Sequence, residues 1–318
     1  MNRNPVTLVA AASFEERSLV TTRKFLTNVG EPRDVHLANV IEDNVQHQEN
    51  VDAFRELRIE AIEPLDRFDS RALWSWAWKT IRGAPRGDIA VDITCFPREL
   101  LGMLLFAISL MRKRFVNVTV DYIAAPEGGY ATQNTELDES ARWLSKGVRD
   151  IRSIIGFPGD FSGEKTGHLI ALAGHERERL MEIVEYVEPR KLSIGSGDIG
   201  SSTTAGADEY SRRVVRALRS RVPVPTVERF GFRSDSVDDV YERLREVGLD
   251  FGKENVSLAG MNTKLSFVGA TLFALHERRV RIVYAVPEKY NPSYCQGVGT
   301  AFHFDITGLI GQAKTEAL

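Results

Sequence analysis

The sequence predicts an α/β protein made of two tandem halves, each a largely parallel sheet covered by helices. Three observations predict it. Short apolar runs alternate with longer segments of helical period along the whole chain. That alternation runs through twice, with matching segments in the same order and offsets between 150 and 167 residues. A stretch rich in turn formers, Gly156 to Gly167, separates the two runs.

In the first half, Val6 to Ala12 is a continuous apolar run of the kind buried on both faces. Ser13 and Glu16 have capping-box spacing for a helix that Gly30 and Pro32 stop near Val29. Val35 to Val40 reads as a strand, Glu49 to Arg58 as a helix, and Ala61 to Phe68 as a short strand. Ala72 to Ile81 is a third helix and Ile89 to Thr94 a fourth strand. The apolar helix Glu99 to Arg112 and the strand Val116 to Ala124 complete the half.

The second half repeats this order. His168 to Ala173 is a strand, Glu176 to Val187 a helix and Lys191 to Ile194 a strand before a Gly/Ser-rich loop. The helix Ala207 to Arg219, strand Thr226 to Phe230 and helix Ser236 to Val247 follow. Val256 to Gly260 is a strand, Leu265 to His276 a helix and Val280 to Ala285 a strand. Gly299 to Ile306 alternates apolar and polar residues and reads as an edge strand or hairpin.

The matches between halves are local. Leu8 to Leu19 aligns without a gap on Leu169 to Leu180, pairing Glu15 with Glu176. Asp66-Arg67-Phe68 recurs as Glu228-Arg229-Phe230, and Gly102-x-x-x-Phe106-Ala107 as Gly269-x-x-x-Phe273-Ala274. Ala125-Pro126-Glu127-x-x-Tyr130 recurs as Val286-Pro287-Glu288-x-Tyr290. The expectation is two Rossmann-like halves, residues 1–160 and 165–318, related by a pseudo-two-fold through internal duplication, in effect a homodimer fused into one chain. Ligands of such sheets bind beyond the carboxyl ends of the strands.

The 318 residues suffice for two cores. A formal net charge of −3 supplies no global basic field, so direct binding of duplex nucleic acid is not expected. Two cysteines make no disulfide framework, and the six histidines have no metal-ligand spacing. No cofactor is expected. The longest apolar stretch, Leu100 to Met111, is shorter than the roughly 20 residues of a membrane span. With no signal-peptide pattern, the expected location is the cytoplasm.

Asp92-Ile93-Thr94-Cys95-Phe96-Pro97-Arg98 fits the spacing [DN]-x-[ST]-x-x-x-[RK] at a strand-to-helix junction. A hydroxyl and a cation beside free backbone N–H groups form an anion site. Asn262-Thr263-Lys264 sits at the equivalent place in the second half and keeps a Thr and a cation. The plainer reading is that Asp92 and Thr94 cap the helix and Arg98 pairs with a surface acid. The motif resembles the signature of CARF domains, Rossmann-like sensors of cyclic oligonucleotides in prokaryotic antiviral defence. Two such units in one chain resemble a SAVED domain. The resemblance implies a ligand lying across the two-fold between the halves, with Thr94 and Arg98 on the motif and Asn262, Thr263 and Lys264 as looser partners. It also implies small residues after the first strand, where Ser13 and Gly174 stand, each followed by an acid (Glu15, Glu176).

Ile194 to Gly206 holds Gly195, Ser196 and Gly197, which allow close backbone approach and can line a phosphate or sugar. The alternative is a plain surface loop. In the two Pro-Glu-Tyr segments, Tyr130 and Tyr290 could stack on a base, with Glu127 and Glu288 as acceptors or bases; the alternative is loop packing. Glu15/Arg17 and Glu176/Arg177 are similar pairs that the helix dipole also explains. Cys95 lies in the motif without a histidine in view and reads as a small filler. With no Gly-x-Ser-x-Gly elbow, the sequence gives a hydrolase triad no support. Trp74, Trp76 and Trp78 crowd one helix whose counterpart is polar, which points to a covering subunit, a protein partner or packing within the chain.

The expected function is therefore a sensor of a nucleotide second messenger, acting through a protein partner or homo-oligomer via the Trp74/Trp78 helix, or degrading its ligand as a ring nuclease. Thr94, Arg98 and Lys264 would hold the ligand, with Glu15 a candidate base. The alternative is a Rossmann-like enzyme processing a nucleotide or nucleoside with one active site in the second half.

Overall fold

A computed structural model describes residues 6–28, 33–40, 45–57, 59, 62–133, 138–201, 207–221, 224–291 and 293–311. They fall into two compact units. One runs up to Pro126 and includes the segment from Cys295 onward; the other is Glu127–Tyr294.

The chain opens with β1 (Val6–Ala12), α1 (Val20–Asn28), β2 (Arg33–Val40) and α2 (Val45–Glu56). It continues through β3 (Pro64–Leu65), α3 (Ser70–Gly83), β4 (Gly87–Asp92), α4 (Arg98–Leu110) and β5 (Phe115–Ile123). The second unit holds β6 (Ser145–Pro158), β7 (Thr166–Leu172), α5 (Arg177–Val187), β8 (Lys191–Gly197) and α6 (Ala207–Arg221). Then come β9 (Thr226–Phe232), α7 (Val237–Glu246), β10 (Glu254–Gly260), α8 (Lys264–His276) and β11 (Arg281–Tyr290). Finally β12 (Ala301–Asp305) and α9 (Thr307–Gly311) return to the first unit.

Each unit has one six-stranded sheet, in the orders β12-β5-β4-β1-β2-β3 and β6-β11-β10-β7-β8-β9. Five strands of each are parallel, and the sixth, β12 or β6, closes the edge beside β5 or β11 in antiparallel pairing. The fold is thus α/β, with two mostly parallel sheets of the same strand order. The apolar runs explain the centre of each sheet. Leu8, Val9 and Ala10 on β1 and Leu169, Ile170 and Ala171 on β7 are fully buried, each larger side chain contributing about 1.5–3 kcal/mol. Helices α4 and α8 are apolar all round and buried along nearly their whole length.

Several local expectations change. The Ser13/Glu16 capping box does not form. A 3-10 turn, Glu16–Leu19, precedes α1, and the Ser13 hydroxyl accepts from Glu15 N at 3.3 Å. Gly195, Ser196 and Gly197 lie in β8, not in a loop; residues 202–206 of the Gly/Ser segment lie outside the described residues. Glu288 and Tyr290 lie within β11 instead of after it. Gly156, Phe157 and Pro158 end the strand β6, so the turn-rich stretch is partly sheet. An antiparallel edge strand tolerates the charges Lys146, Arg149, Asp150 and Arg152, which hide β6 from an apolar-run reading.

On α3, Asp69 caps the helix by accepting from Arg71 N and Ala72 N. Its three tryptophans are half-buried. Trp74 lies 5.6 Å from Phe106 and 5.8 Å from Trp78, and Trp76 lies 6.3 Å from Phe96. Part of their surface therefore packs against α4 and its approach within the same unit.

Candidate functional site

In the first unit, the ends of β1 and β4 carry Ser13 and Thr94. Asn50 on α2 donates to the carbonyls of Ser13 (2.7 Å) and Glu15 (3.2 Å), holding the turn after β1. Glu15 and Arg17 form an ion pair with both side chains buried, and Arg17 Nη1 donates to Ile123 O at the end of β5 (2.8 Å). Cys95 Sγ sits 3.9 Å from Glu15 Oε1. The Thr94 hydroxyl accepts from Ile123 N at 2.9 Å, and Thr94 N donates to Asp92 at 3.0 Å. Burial pushes the Asp92 carboxyl up to about 6, against the opposing bonds from Thr94. Arg98 is the first residue of α4 and half-buried, so a cation does stand at that helix start. Cys295, near Glu15 and Arg17, is pushed up to about 12 by burial, which leaves its thiol protonated and unreactive at neutral pH.

The second unit repeats the plan with different residues. Glu176 pairs with Arg179 at 2.7 Å, and Arg179 Nε donates to Ala285 O at 3.1 Å. Sequence reading had set Arg177 beside Glu176; the structure gives the buried role to Arg179, one helical turn from the acid. Burial opposes the charge of Arg179, but the paired Glu176 carboxylate outweighs it and holds the guanidinium above its ordinary value. The Ser145 hydroxyl also donates to Glu176.

Around the carboxyl ends of β7, β8 and β10 the backbone is crowded. A Cβ on Gly174 would collide with the main chain of Met261 and Asn262. Asn262 Nδ2 donates to Ala173 O at 2.5 Å. Ser211 donates to the same carbonyl at 2.8 Å and accepts from Gly197 N at 3.4 Å. Gly197 and Asn262 therefore meet at Ala173. Gly195 packs against Phe230, and Gly197 against Asp208 and Ser234, so both are glycine for close packing. Ser196 stands between them in β8. Thr263 is the N-cap of α8: its hydroxyl accepts from Ser266 N at 3.0 Å and donates to Ser234 O at 2.7 Å. Lys264 follows as the first residue of α8, half-buried.

Tyr130 and Tyr290 come together through a third ring. Each meets Tyr294 edge-on, with centroids 5.9 Å apart. Tyr130 also lies 5.4 Å from His175, which stacks on Tyr210 at 4.8 Å. Burial raises the Tyr290 phenol well above its ordinary value, so it stays a neutral hydrogen-bonding group, 3.4 Å from the Tyr284 hydroxyl.

His175 and Tyr210 open onto a cavity of about 500 Å³ at the end of β7. Its wall also includes Trp143, the arginines Arg142, Arg177, Arg179 and Arg213, and the acids Glu176, Glu178 and Glu182. That volume suits a nucleotide-sized ligand, and aromatic rings with guanidinium groups suit bases and phosphates. Sequence reading missed this wall. His175 follows Gly174 at a strand end, which was a usable signal, but Arg142, Trp143, Tyr210 and Arg213 come from distant segments. Among the described residues no group of three or more His, Cys, Asp or Glu side chains could hold a metal ion, and no helix is long and apolar enough to cross a membrane.

No family model and no curated protein matches the chain. Among solved structures it is similar to a type III CRISPR defence DNA nuclease activated by cyclic oligoadenylate, with a TM-score of 0.46 and 11% identity, over 83% of this chain and 63% of that one. It is also similar to the cytoplasmic domain of a prokaryotic cation chloride cotransporter, with a TM-score of 0.23 and 12% identity, over 92% of this chain and 99% of that one. The chain thus spans under two thirds of the nuclease, and both likenesses concern the fold alone.

Proposed function

We propose that this chain is a CARF-like sensor of a cyclic oligonucleotide, bound at the carboxyl ends of parallel strands. The carrying observation is the cavity at the end of β7, where Arg142, Arg177 and Arg213 stand with His175 and Tyr210. Cations at the heads of two long helices, Arg98 on α4 and Lys264 on α8, support the same reading. Ser13, Thr94, Gly195, Ser196, Gly197, Asn262 and Thr263 shape the strand ends around them, and Tyr130 and Tyr290 back the aromatic wall. The common strand order of the two sheets supports an origin by duplication. The signal would pass to a protein partner or a second copy, and the exposed part of the Trp74/Trp78 helix is the proposed contact. The protein would work in the cytoplasm.

The test is thermal stabilisation by cyclic di-, tri- and tetranucleotides against mononucleotides and NAD-type metabolites. A ligand at about 100 times its Kd stabilises a fold by about 2.7 kcal/mol. A cyclic species should shift the wild type at one ligand per chain, and less so after Arg98→Ala, Lys264→Ala or Arg213→Ala. A shift with mononucleotides alone, indifferent to Arg98→Ala, would sink the sensor reading. It would favour a nucleotide-processing enzyme, a second reading supported by the cavity's lying wholly among residues of the second unit.

A further inference from the structure

At the other end of the same strands, three side chains form a hydrogen-bonded relay. His168 Nδ1 lies 2.8 Å from Glu254 Oε2, and His168 Nε2 lies 2.8 Å from Ser193 Oγ. Strand register brings them together. His168 on β7 lies opposite Lys191 on β8 and Val256 on β10. Alternation then sets Ser193, two residues past Lys191, and Glu254, two before Val256, on the face that carries His168. About 20 Å of extended chain separates His168 from Gly174, so this cluster is distinct from the cavity at the end of β7.

The hydrogen bonds fix the tautomer. A carboxylate only accepts, so Nδ1 carries the proton that bonds Glu254. In the neutral ring Nε2 then presents its lone pair to the Ser193 hydroxyl at 2.8 Å, nearer than the hydroxyl's other acceptor, Glu228 Oε2 at 3.4 Å. This is the arrangement in which an imidazole takes a proton from a serine. Burial lowers the His168 pKa against the opposing pull of Glu254, which keeps the ring neutral and so able to accept a proton. Ser193 also lines a second cavity, of about 510 Å³, with Glu228, Arg229, Arg243 and Glu246. With Asp198 the wall carries three acids against two arginines, which disfavours an anionic ligand. Ser193 is 1% exposed, so a substrate reaches it only through that cavity.

We propose that Ser193, His168 and Glu254 are the nucleophile, general base and positioning carboxylate of a second site, one that cleaves small uncharged carboxylic esters. Ser193 Oγ attacks the ester carbonyl carbon while its proton passes to His168 Nε2. The tetrahedral intermediate expels the alcohol, which takes that proton, and leaves Ser193 acylated. Water then attacks the acyl carbon, gives its proton to Nε2 and releases the acid; the proton returns to Ser193. Lys191 shares the strand face with Ser193; its ammonium lies 3.3 Å from Glu228 and 4.0 Å from Glu254 and donates to Gly248 O at 3.0 Å.

The probe is diisopropyl fluorophosphate on the full chain. Attack by Ser193 forms a P–O bond, breaks P–F and sends the serine proton to His168. Intact mass should gain one diisopropylphosphoryl group, mapped to the Ser193 peptide and absent in Ser193→Ala. Labelling should slow by at least about 100-fold in His168→Gln and also slow in Glu254→Gln, each checked for an intact thermal transition. Release of p-nitrophenol from its acetate should lose a matching component in Ser193→Ala. A folded wild type that leaves Ser193 unlabelled, or a folded His168→Gln that labels as fast as wild type, would overturn the proposal. Neither result bears on cyclic oligonucleotide binding.

Discussion

Glu176 and Arg179 are bonded at 2.7 Å with both side chains almost wholly buried, and Arg179 also reaches Ala285 O at 3.1 Å. The first unit has the same device in Glu15, Arg17 and Ile123 O. In both, a buried guanidinium ties the segment after the first parallel strand to a main-chain carbonyl of the last one, Ile123 at the end of β5 and Ala285 within β11. Residues 17 and 123 stand 162 positions before 179 and 285, so the equivalence extends to the partner carbonyl. The acid after each first strand is thus engaged by a cation. It does not simply face a polyanionic ligand.

Arg179→Ala should destabilise the fold by about 3–5 kcal/mol, because it leaves the Glu176 charge buried and uncompensated. Arg179→Ala with Glu176→Gln should recover part of that loss, since the stranded charge goes too. Urea unfolding of the two variants checks the order.

Gly174→Ala should cost about 1–3 kcal/mol, since the new methyl meets main chain that cannot swing away. Thr263→Ala should cost about 1 kcal/mol through the lost cap of α8. Neither figure measures ligand binding, so affinities of such variants must be titrated directly. The same caution excludes Gly197 as a test of catalysis, because any side chain there strikes Asp208 and Ser234.

Much of the fold was legible because its central strands are buried on both faces. Runs such as Val6 to Ala12, and the all-apolar helices α4 and α8, announce themselves by composition alone. The edge strands were harder. β6 carries four charges in its first eight residues, and nothing local in β12 says which sheet it joins. At the site, Thr94 and Thr263 were visible at strand-to-helix junctions, where caps and anion sites use the same residue types. Arg179 and the Ser193–His168–Glu254 relay were not visible, since each depends on register between segments up to 106 residues apart. A search for a local nucleophile motif cannot detect a serine in mid-strand.

The Asp92 carboxyl should make stability fall as pH rises from about 4 to about 6. Its folded pKa is raised above the ordinary carboxyl value of 3.8, so the native state holds this proton more tightly than the unfolded chain. The contribution is fully present below the unfolded value and lost as pH passes through the folded one. The span of 3.8 to about 6 corresponds to about 3 kcal/mol. Asp92→Asn keeps an acceptor for Thr94 N and should remove this component. Unfolding of wild type and variant at pH 4 and 7 checks it: the variant should gain on the wild type at pH 7.

Chain connectivity makes the two units unequal in independence. The second unit is one continuous segment, Glu127–Tyr294, with its antiparallel edge strand β6 at its own start. The first unit must wait for β12, which arrives only after the second unit has been made. There β12 pairs along β5 from Ala301 to Asp305. His303 lies 2.9 Å from Asp121, Thr307 accepts from Val118 N at 2.8 Å, and Ile306 and Ile310 are buried. A fragment 127–294 should therefore unfold cooperatively on its own. A chain ended at Tyr294 should leave the β5 edge unpaired, lose stability in its first unit and associate through that edge. A peptide of residues 295–311 added in trans should restore the first unit's thermal transition. If the shortened chain instead melts like the full one, β12 contributes little and the unequal roles of the two edge strands are refuted.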